Sequence, residues 1–235
     1  MKLSDKTVNN TLEKARASFD SFRAQIVNGE KLTVSISKGN SKIGKVMNVS
    51  TMPVITCLNC GVCRNICYAM RSATQYTTAR EAWCKNSALA MFARDEYFTQ
   101  ISAAMSRRRT NKFFRWHVAG DIPDYAYFCR MVDIAKAHPD FIIWTYTKDY
   151  WLINRYVREH GNDRKTAIPG NFSIMFSAWD GCKMNNPFGF PVFNFVATGT
   201  EDKAPKYRFC PGNCDICKAN HMGCPYGENM NAKEH

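Results

Sequence analysis

Eight of the eleven cysteines in this sequence of 235 residues fall into two short groups, and this clustering constrains the fold more than any other feature. The first cysteine group has the spacing C-x2-C-x2-C-x3-C and comprises Cys57, Cys60, Cys63 and Cys67. The second cysteine group has the spacing C-x3-C-x2-C-x6-C and comprises Cys210, Cys214, Cys217 and Cys224. Thiols clustered in this way indicate metal binding rather than a disulfide framework.

Spacers of two or three residues let one loop present several thiolates to an iron-sulfur cluster. The first cysteine group therefore predicts a 4Fe-4S site, and the second predicts either another cluster or a zinc site. Zinc is the alternative at both groups, because it takes the same thiolate ligands. One such site would use Cys214, Cys217, His221 and Cys224, and another would include Cys57 and Cys60. The remaining cysteines, Cys84, Cys129 and Cys182, are interpreted as small buried apolar residues.

The rest of the composition indicates where in the cell the protein is located and what kind of partner it binds. The N-terminal residues have no apolar signal segment, and no stretch is long and apolar enough to span a membrane, so we expect a cytoplasmic protein without a membrane partner. The formal net charge of +12 favours an anionic partner, nucleic acid above all. The densest basic run is 107–109, although a solvated basic surface would explain the same residues.

Hydrophobic periodicity predicts an α/β fold. Apolar residues spaced for one helix face run from residue 7 to 28, and two alternating segments, 32–37 and 45–50, predict a hairpin. A helical segment follows at 77–106, as one helix or two abutting helices. Short apolar strands then alternate with helices, which is typical of parallel βα units.

We therefore expect a partial parallel barrel or an open sheet of βα units, with an N-terminal helix and cysteine-rich cluster-binding loops. Three segments are predicted within it. Residues 1–44 form the N-terminal helix and strand, residues 45–205 form the α/β partial barrel with the first cysteine group, and residues 206–235 form a cysteine-rich segment that packs on the same domain.

Polar side chains follow two successive predicted strands, where ligands of α/β sheets bind. His117 and Asp121 follow one strand, and Lys148 follows the next. Together they could bind a polar ligand or move a proton, which makes them the catalytic candidates. The alternative is structural, with Asp121 capping a helix and Lys148 solvated.

Several of these motifs together resemble the bacteriophage family called gene product 88. They are Met52-Pro53 before the first cysteine group, Cys67-Tyr68-Ala69, Phe114-Arg115-Trp116-His117-x-x-Gly120-Asp121, Tyr146-Thr147-Lys148 and the terminal Cys-Pro with C-x2-C. The family is similar in plan to radical S-adenosylmethionine proteins, so the resemblance implies a phage origin, a reduced barrel and a cluster near its mouth. It also makes Gly120 and Tyr68 candidates for cofactor binding.

Two functional hypotheses follow. The first is an iron-sulfur phage protein of the host cytoplasm with one or two clusters, either a radical S-adenosylmethionine-like enzyme on an unknown substrate or a redox protein. Four thiolates on one cluster would leave no iron open for S-adenosylmethionine. A radical S-adenosylmethionine-like enzyme would therefore require that one of the four cysteines does not bind the cluster. The second hypothesis is a zinc-stabilised nucleic-acid-binding module that uses the basic excess.

Overall fold

A computed structural model describes residues 2–61, 63–179 and 183–233 of the chain. Cys182 lies outside the described residues. The eight helices are α1 (Asp5–Val27), α2 (Tyr68–Gln75), α3 (Thr77–Phe92), α4 (Arg94–Ser106), α5 (Tyr125–Ala137), α6 (Tyr150–Glu159), α7 (Arg164–Ala167) and α8 (Cys214–Ala219), among the described residues. The eight strands are β1 (Ile36–Ser37), β2 (Met47–Val49), β3 (Phe113–Trp116), β4 (Ile142–Thr147), β5 (Phe172–Ala178), β6 (Val192–Val196), β7 (Arg208–Phe209) and β8 (Met230–Lys233), again among the described residues.

The strands form a single sheet in the order β1-β2-β3-β4-β5-β6-β8-β7. Only β1 and β2 pair antiparallel, as the predicted hairpin requires, and every other pair is parallel. From β2 to β6 each strand lies beside the next one in the chain, which is the arrangement that repeated βα units produce. Among the described strands β1 and β7 are the two edges and are not paired with each other, so barrel closure is not observed.

The two faces of the sheet are covered differently. Phe114, Ile143 and Ile174 point to one face, where they pack with α4, α5 and α6 in the main core. Trp144 and Met175 point to the opposite face, which we call the inner face. There they pack with residues of the C-terminal segment rather than with a layer of long helices, because Cys224 and Met230 belong to the same cluster.

Helix α1 begins and ends where its sequence indicates. Ser4 is the N-cap, and its hydroxyl accepts a hydrogen bond from the Thr7 amide at 3.2 Å. Its buried residues pack with Met70 and Cys84 in a separate small core, so α1 lies against α2 and α3. Cys84 is fully buried there, as predicted, with its thiol donating to the Ala15 carbonyl at 3.3 Å.

The sequence prediction did not include helices α2, α7 and α8 or strands β7 and β8. Helix α2 directly follows the first cysteine group, and strands β7 and β8 come from the C-terminal segment. Because β8 lies between β6 and β7, residues 206–233 complete the same sheet to which 36–49 contribute β1 and β2. No helix among the described residues is long and apolar enough to cross a membrane.

Candidate metal centre

The first cysteine group lies in the loop that follows β2, the first parallel strand of the sheet. The start of this loop is fixed by three hydrogen bonds. The Thr51 amide donates to the Ala119 carbonyl at 3.0 Å, and the Met52 amide donates to the Ser87 hydroxyl at 2.8 Å. The Thr51 and Thr56 hydroxyls are 2.9 Å apart. The residue that follows Thr56 is Cys57, so these bonds hold the first thiol at the carboxyl end of the sheet.

Gly120 allows the loops after β2 and β3 to approach each other closely. Its φ of +85° is in the left-handed region, and a Cβ at this position would be 2.8 Å from both the Thr51 carbonyl oxygen and the Thr56 hydroxyl. Contacts this short are not tolerated, so a side chain here would push the two loops apart. The structure gives Gly120 this packing role, and its predicted contact with a cofactor stays a prediction.

Three thiols of the first cysteine group are neighbours. The hydrogen bond between the Cys60 and Cys57 thiols raises the pKa of Cys60 to about 12, although a second one with Cys63 lowers it. The bond with Cys60, together with burial, also raises the pKa of Cys63. Raised pKa values mean that the metal-free thiols are protonated at neutral pH, and metal binding would have to displace those protons.

Cys67, the fourth thiol of the group, is the N-cap residue of α2. Burial raises the pKa of Cys67, while hydrogen bonds from the Met70 and Ala69 amides lower it. Those amides belong to the first turn of the helix, where N–H groups lack helical partners and favour an anion. The position therefore suits a thiolate once a metal offsets the cost of burial.

Within residues 2–61, 63–179 and 183–233, no three His, Cys, Asp or Glu side chains are arranged so that they could hold a single metal ion. A tetrahedral zinc ion needs its sulfur ligands about 2.3 Å from one point. A cluster spreads its ligands over several iron atoms, so its thiolates need not converge in this way. In either case, the side chains of the loop would have to adjust when a metal is bound.

Asp121 and Lys148, two of the predicted catalytic residues, lie together beside the first cysteine group. The Asp121 carboxylate accepts hydrogen bonds from the Lys148 amide at 3.1 Å and from the Ile122 amide at 2.8 Å. Burial raises the pKa of Asp121, even though the Lys148 charge opposes that shift. Burial alone would lower the pKa of Lys148, but the Cys63 thiol and Asp121 raise it overall.

The Lys148 ammonium group lies over a pair of stacked aromatic rings. Its Nζ is 4.9 Å from the centre of the Trp179 ring, and Trp179 stacks on Phe195 with ring centroids 4.1 Å apart. The Lys148 charge also lowers the pKa of the neighbouring Cys63 thiol, against the larger effects of Cys60 and burial that raise it. Lys148 is therefore a positive charge directly next to the thiols, and not the solvated side chain of the structural alternative.

His117, the third catalytic candidate, points away from the first cysteine group. It is 3% exposed, and its Nε2 lies 3.0 Å from the Tyr127 hydroxyl on the helix side of the sheet. Burial lowers its pKa to about 3, with a smaller contribution from the Arg115 charge. Its Nδ1 has no hydrogen-bond partner among the described residues. The structure therefore brings Asp121 and Lys148 together at the thiols and places His117 among aromatic rings.

The second cysteine group lies on the inner face and forms its own cluster of thiols. Burial raises the pKa of Cys224 to about 12 and that of Cys217 to about 11, and the neighbouring thiol of Cys210 raises both further. His221, the fourth ligand of the zinc alternative, is exposed, and its Nδ1 lies 3.2 Å from the Tyr226 hydroxyl. Its ring therefore pairs with Tyr226.

Arg115 lies between the two cysteine groups and is the residue that sequence reasoning missed. Its guanidinium is 4.6 Å from the centre of the Tyr146 ring, and its charge opposes the rise that burial causes in the pKa of Cys214. Its Nε is buried without a partner among the described residues, and no carboxylate there forms a salt bridge with it. A basic residue within an apolar strand was the available signal.

Tyr68 connects this region to the first cysteine group. Its hydroxyl donates to the Val118 carbonyl, while its ring remains 49% exposed. Burial of the hydroxyl raises its pKa, although the Arg115 charge opposes the shift. The exposed ring stands at the edge of the site, and its predicted role in cofactor binding stays a prediction.

Comparison with known proteins gives one finding. A family model described as Gene product 88 matches residues 6–186, which is more than half of the chain. The match covers the first cysteine group, Asp121 and Lys148, and it ends before the second cysteine group. No curated protein and no solved structure matches the chain.

Proposed function

The chain belongs to the gene product 88 family, and from this premise we propose that it binds an iron-sulfur cluster through the first cysteine group. The observation that carries the proposal is the position of four thiols in one loop at the carboxyl end of the first parallel strand, next to a half-buried lysine. When bound, such a cluster supplies or accepts electrons.

The donor set fits a cluster chemically. All four side chains are thiols, which are the usual ligands of iron-sulfur clusters. Thiolates on a cluster add negative charge, and burying that charge is costly without a nearby cation. The Lys148 ammonium lies next to Cys63 and supplies that positive charge. Asp121 holds Lys148 by accepting its backbone N–H, so the lysine is a positioning and charge-balancing residue of the site.

The second cysteine group supports a second centre, of iron-sulfur or zinc. Arg115 is a half-buried cation whose Nε is buried without a partner, and no carboxylate among the described residues pairs with it. Thiolates at Cys214 and Cys224 would supply the missing negative charge. A metal makes thiolates stable at neutral pH, so the half-buried arginine favours metal binding at this group.

The finer proposal is that the site works in the manner of radical S-adenosylmethionine proteins. It requires that three thiols of the first cysteine group hold the cluster and that one iron remains open for S-adenosylmethionine. Tyr68 and Lys148 would then line the space beside that iron.

The experiment is anaerobic reconstitution of the full chain with ferrous iron and sulfide. We expect visible sulfur-to-iron charge-transfer absorption and about four iron atoms per chain for one cluster, or about eight for two. C57S, C60S and C63S should each lose most of the absorption that belongs to the first centre. C129S is the matched control, because Cys129 packs against the main core, far from both groups in sequence.

Two outcomes would contradict the proposal. One is a chain that takes up zinc but no iron and shows no visible absorption. The other is full absorption in all three serine variants. Addition of S-adenosylmethionine to the reduced, loaded protein tests the finer proposal separately, since an open iron would change its electron paramagnetic resonance signal and a fully thiolate-ligated cluster would not.

A further inference from the structure

A strip of basic side chains crosses the edge of the sheet opposite the first cysteine group, at the amino ends of β2 and β3. It comes from the turn before β2, the loop between α4 and β3, and helix α8. We call it the basic strip, and its members are Lys38, Lys42, Lys45, Arg107, Arg108, Arg109, Lys112 and Lys218.

The three segments of the basic strip are joined at Asn111. Its side chain donates to the Lys45 carbonyl, and its own carbonyl accepts from Arg108 Nε at 3.2 Å. Lys218 Nζ reaches both the Asn111 side-chain oxygen and the Lys45 carbonyl at 3.4 Å. The cations are therefore part of one continuous surface and not separate charges on unrelated loops.

The basic strip has a large excess of positive charge. Two carboxylates pair with it, Asp140 with Lys112 and Asp215 with Lys218. Eight cations less these two acids leave six positive charges, which is half of the formal net charge of +12. Five members are exposed and have no acidic side chain within salt-bridge distance in the described part of the chain: Lys38, Lys42, Lys45, Arg107 and Arg109.

We propose that the basic strip binds the phosphate backbone of nucleic acid. Two shallow depressions of about 400 and 390 Å³ lie along it, one lined by residues 107–110 and the other by residues of the turn at 38–45. The other lining residues are Met47 and Ala104 in the first depression and Asn213 and Asp215 in the second, so neither is lined by the aromatic anchors that protein interfaces use. A row of spaced cations along a shallow surface suits a partner with repeated phosphates.

This inference does not depend on cluster binding at the first cysteine group, because the basic strip lies at the opposite edge of the sheet. The strip does adjoin the second cysteine group, since the Lys42 carbonyl accepts a hydrogen bond from the Cys214 amide at 3.2 Å. It also differs from the zinc-module hypothesis, in which metal was required. Direct base contacts are not part of it, so binding should be insensitive to sequence and should weaken steeply as salt rises.

The test is fluorescence anisotropy of a labelled DNA duplex with the full chain between 50 and 200 mM salt, a range over which phosphate contacts lose much of their affinity. The logarithm of affinity should fall linearly with the logarithm of salt concentration. For each duplex contact that is removed, the slope should decrease by about 0.9. R107Q/R109Q should therefore reduce the slope by about 2, and K38Q/K42Q/K45Q by about 3.

K14Q/R16Q is the matched control for R107Q/R109Q, because both variants remove two exposed positive charges, and Lys14 and Arg16 lie on α1. It should leave the slope unchanged. Circular dichroism checks that each variant is folded. If the control loses as much affinity as R107Q/R109Q, or if poly-glutamate competes as well as DNA of equal charge, the basic strip is not a nucleic-acid site. The absence of any binding at 50 mM salt would also overturn the proposal.

Discussion

His117 illustrates how strongly a single buried side chain couples this fold to pH. Its pKa in the native state is lowered to about 3 by burial, whereas an unfolded histidine titrates near 6.5. Between these values the unfolded chain binds a proton that the native chain does not, so the free energy of unfolding falls as pH falls. From pH 7 to pH 5 we expect His117 to cost the native state about 2 kcal/mol.

The measurement compares urea unfolding of the natural chain with that of H117Q at pH 7 and pH 5. Glutamine retains a hydrogen-bond donor for Tyr127 but does not titrate, so the variant should lose about 2 kcal/mol less than the natural chain over this interval. H221Q, which replaces an exposed histidine, is the control. An equal pH dependence in H117Q and the natural chain would mean that His117 is protonated in the native state.

The residues of the candidate site were predictable to different degrees. Asp121 and Lys148 follow successive parallel strands, and the carboxyl ends of such strands meet at one edge, so their proximity follows from the alternating pattern. The turn of His117 toward Tyr127 depends on its φ of +52°, which no periodicity indicates. Arg115 was missed because its importance comes from the C-terminal segment that covers it, more than ninety residues later in the chain.

At the scale of elements, the strands with strong apolar patterns were predicted nearly to the residue, and β8 was missed. Only Met230 in its four residues is a large apolar side chain, so pairing with β6 and β7 creates the strand rather than local preference. Helix α2 was missed for a similar reason, because its eight residues follow a cysteine-rich loop and pack on α1 and α3.

Asn231 in β8 shows what holds this strand. It is fully buried, and its amide nitrogen donates to the Pro205 carbonyl at 2.8 Å and to the Tyr207 carbonyl at 3.0 Å. N231L would leave both carbonyls without this donor, so we expect a loss of about 2–4 kcal/mol in the free energy of unfolding. The segment before β7 should also loosen, and Cys217 and Cys224 should react faster with a thiol reagent.

The measurement for N231L is urea unfolding together with the rate of thiol labelling at each cysteine by mass spectrometry. N220A is the control, because Asn220 is exposed and its side chain donates within its own helix turn, to the Ile216 carbonyl. The control should change stability by less than about 0.5 kcal/mol. Unchanged labelling of Cys217 and Cys224 in N231L would show that this asparagine does not hold the C-terminal segment.

At the scale of the whole molecule, one sheet unites three parts of the chain that composition would separate. Residues 36–49 supply β1 and β2, the central part supplies β3 to β6, and the C-terminal segment supplies β7 and β8. The same C-terminal segment covers the inner face with Cys224 and Met230, which are 5% and 0% exposed. The segment is therefore expected to serve the fold as well as any metal.

Deleting residues 206–235 separates these two roles when it is compared with a full-length variant in which all four cysteines of the second group are changed to alanine. The deletion exposes the apolar inner face and the edge of β6, so we expect an aggregating chain without a cooperative unfolding transition. The alanine variant retains β8 and Met230, and it should unfold cooperatively at a lower urea concentration.

Circular dichroism and urea titration distinguish the outcomes. If the deleted chain unfolds as cooperatively as the alanine variant, the C-terminal segment does not complete the core. If neither variant folds while the metal-loaded natural chain does, the second cysteine group stabilises the fold through its metal, because binding free energy then becomes folding free energy.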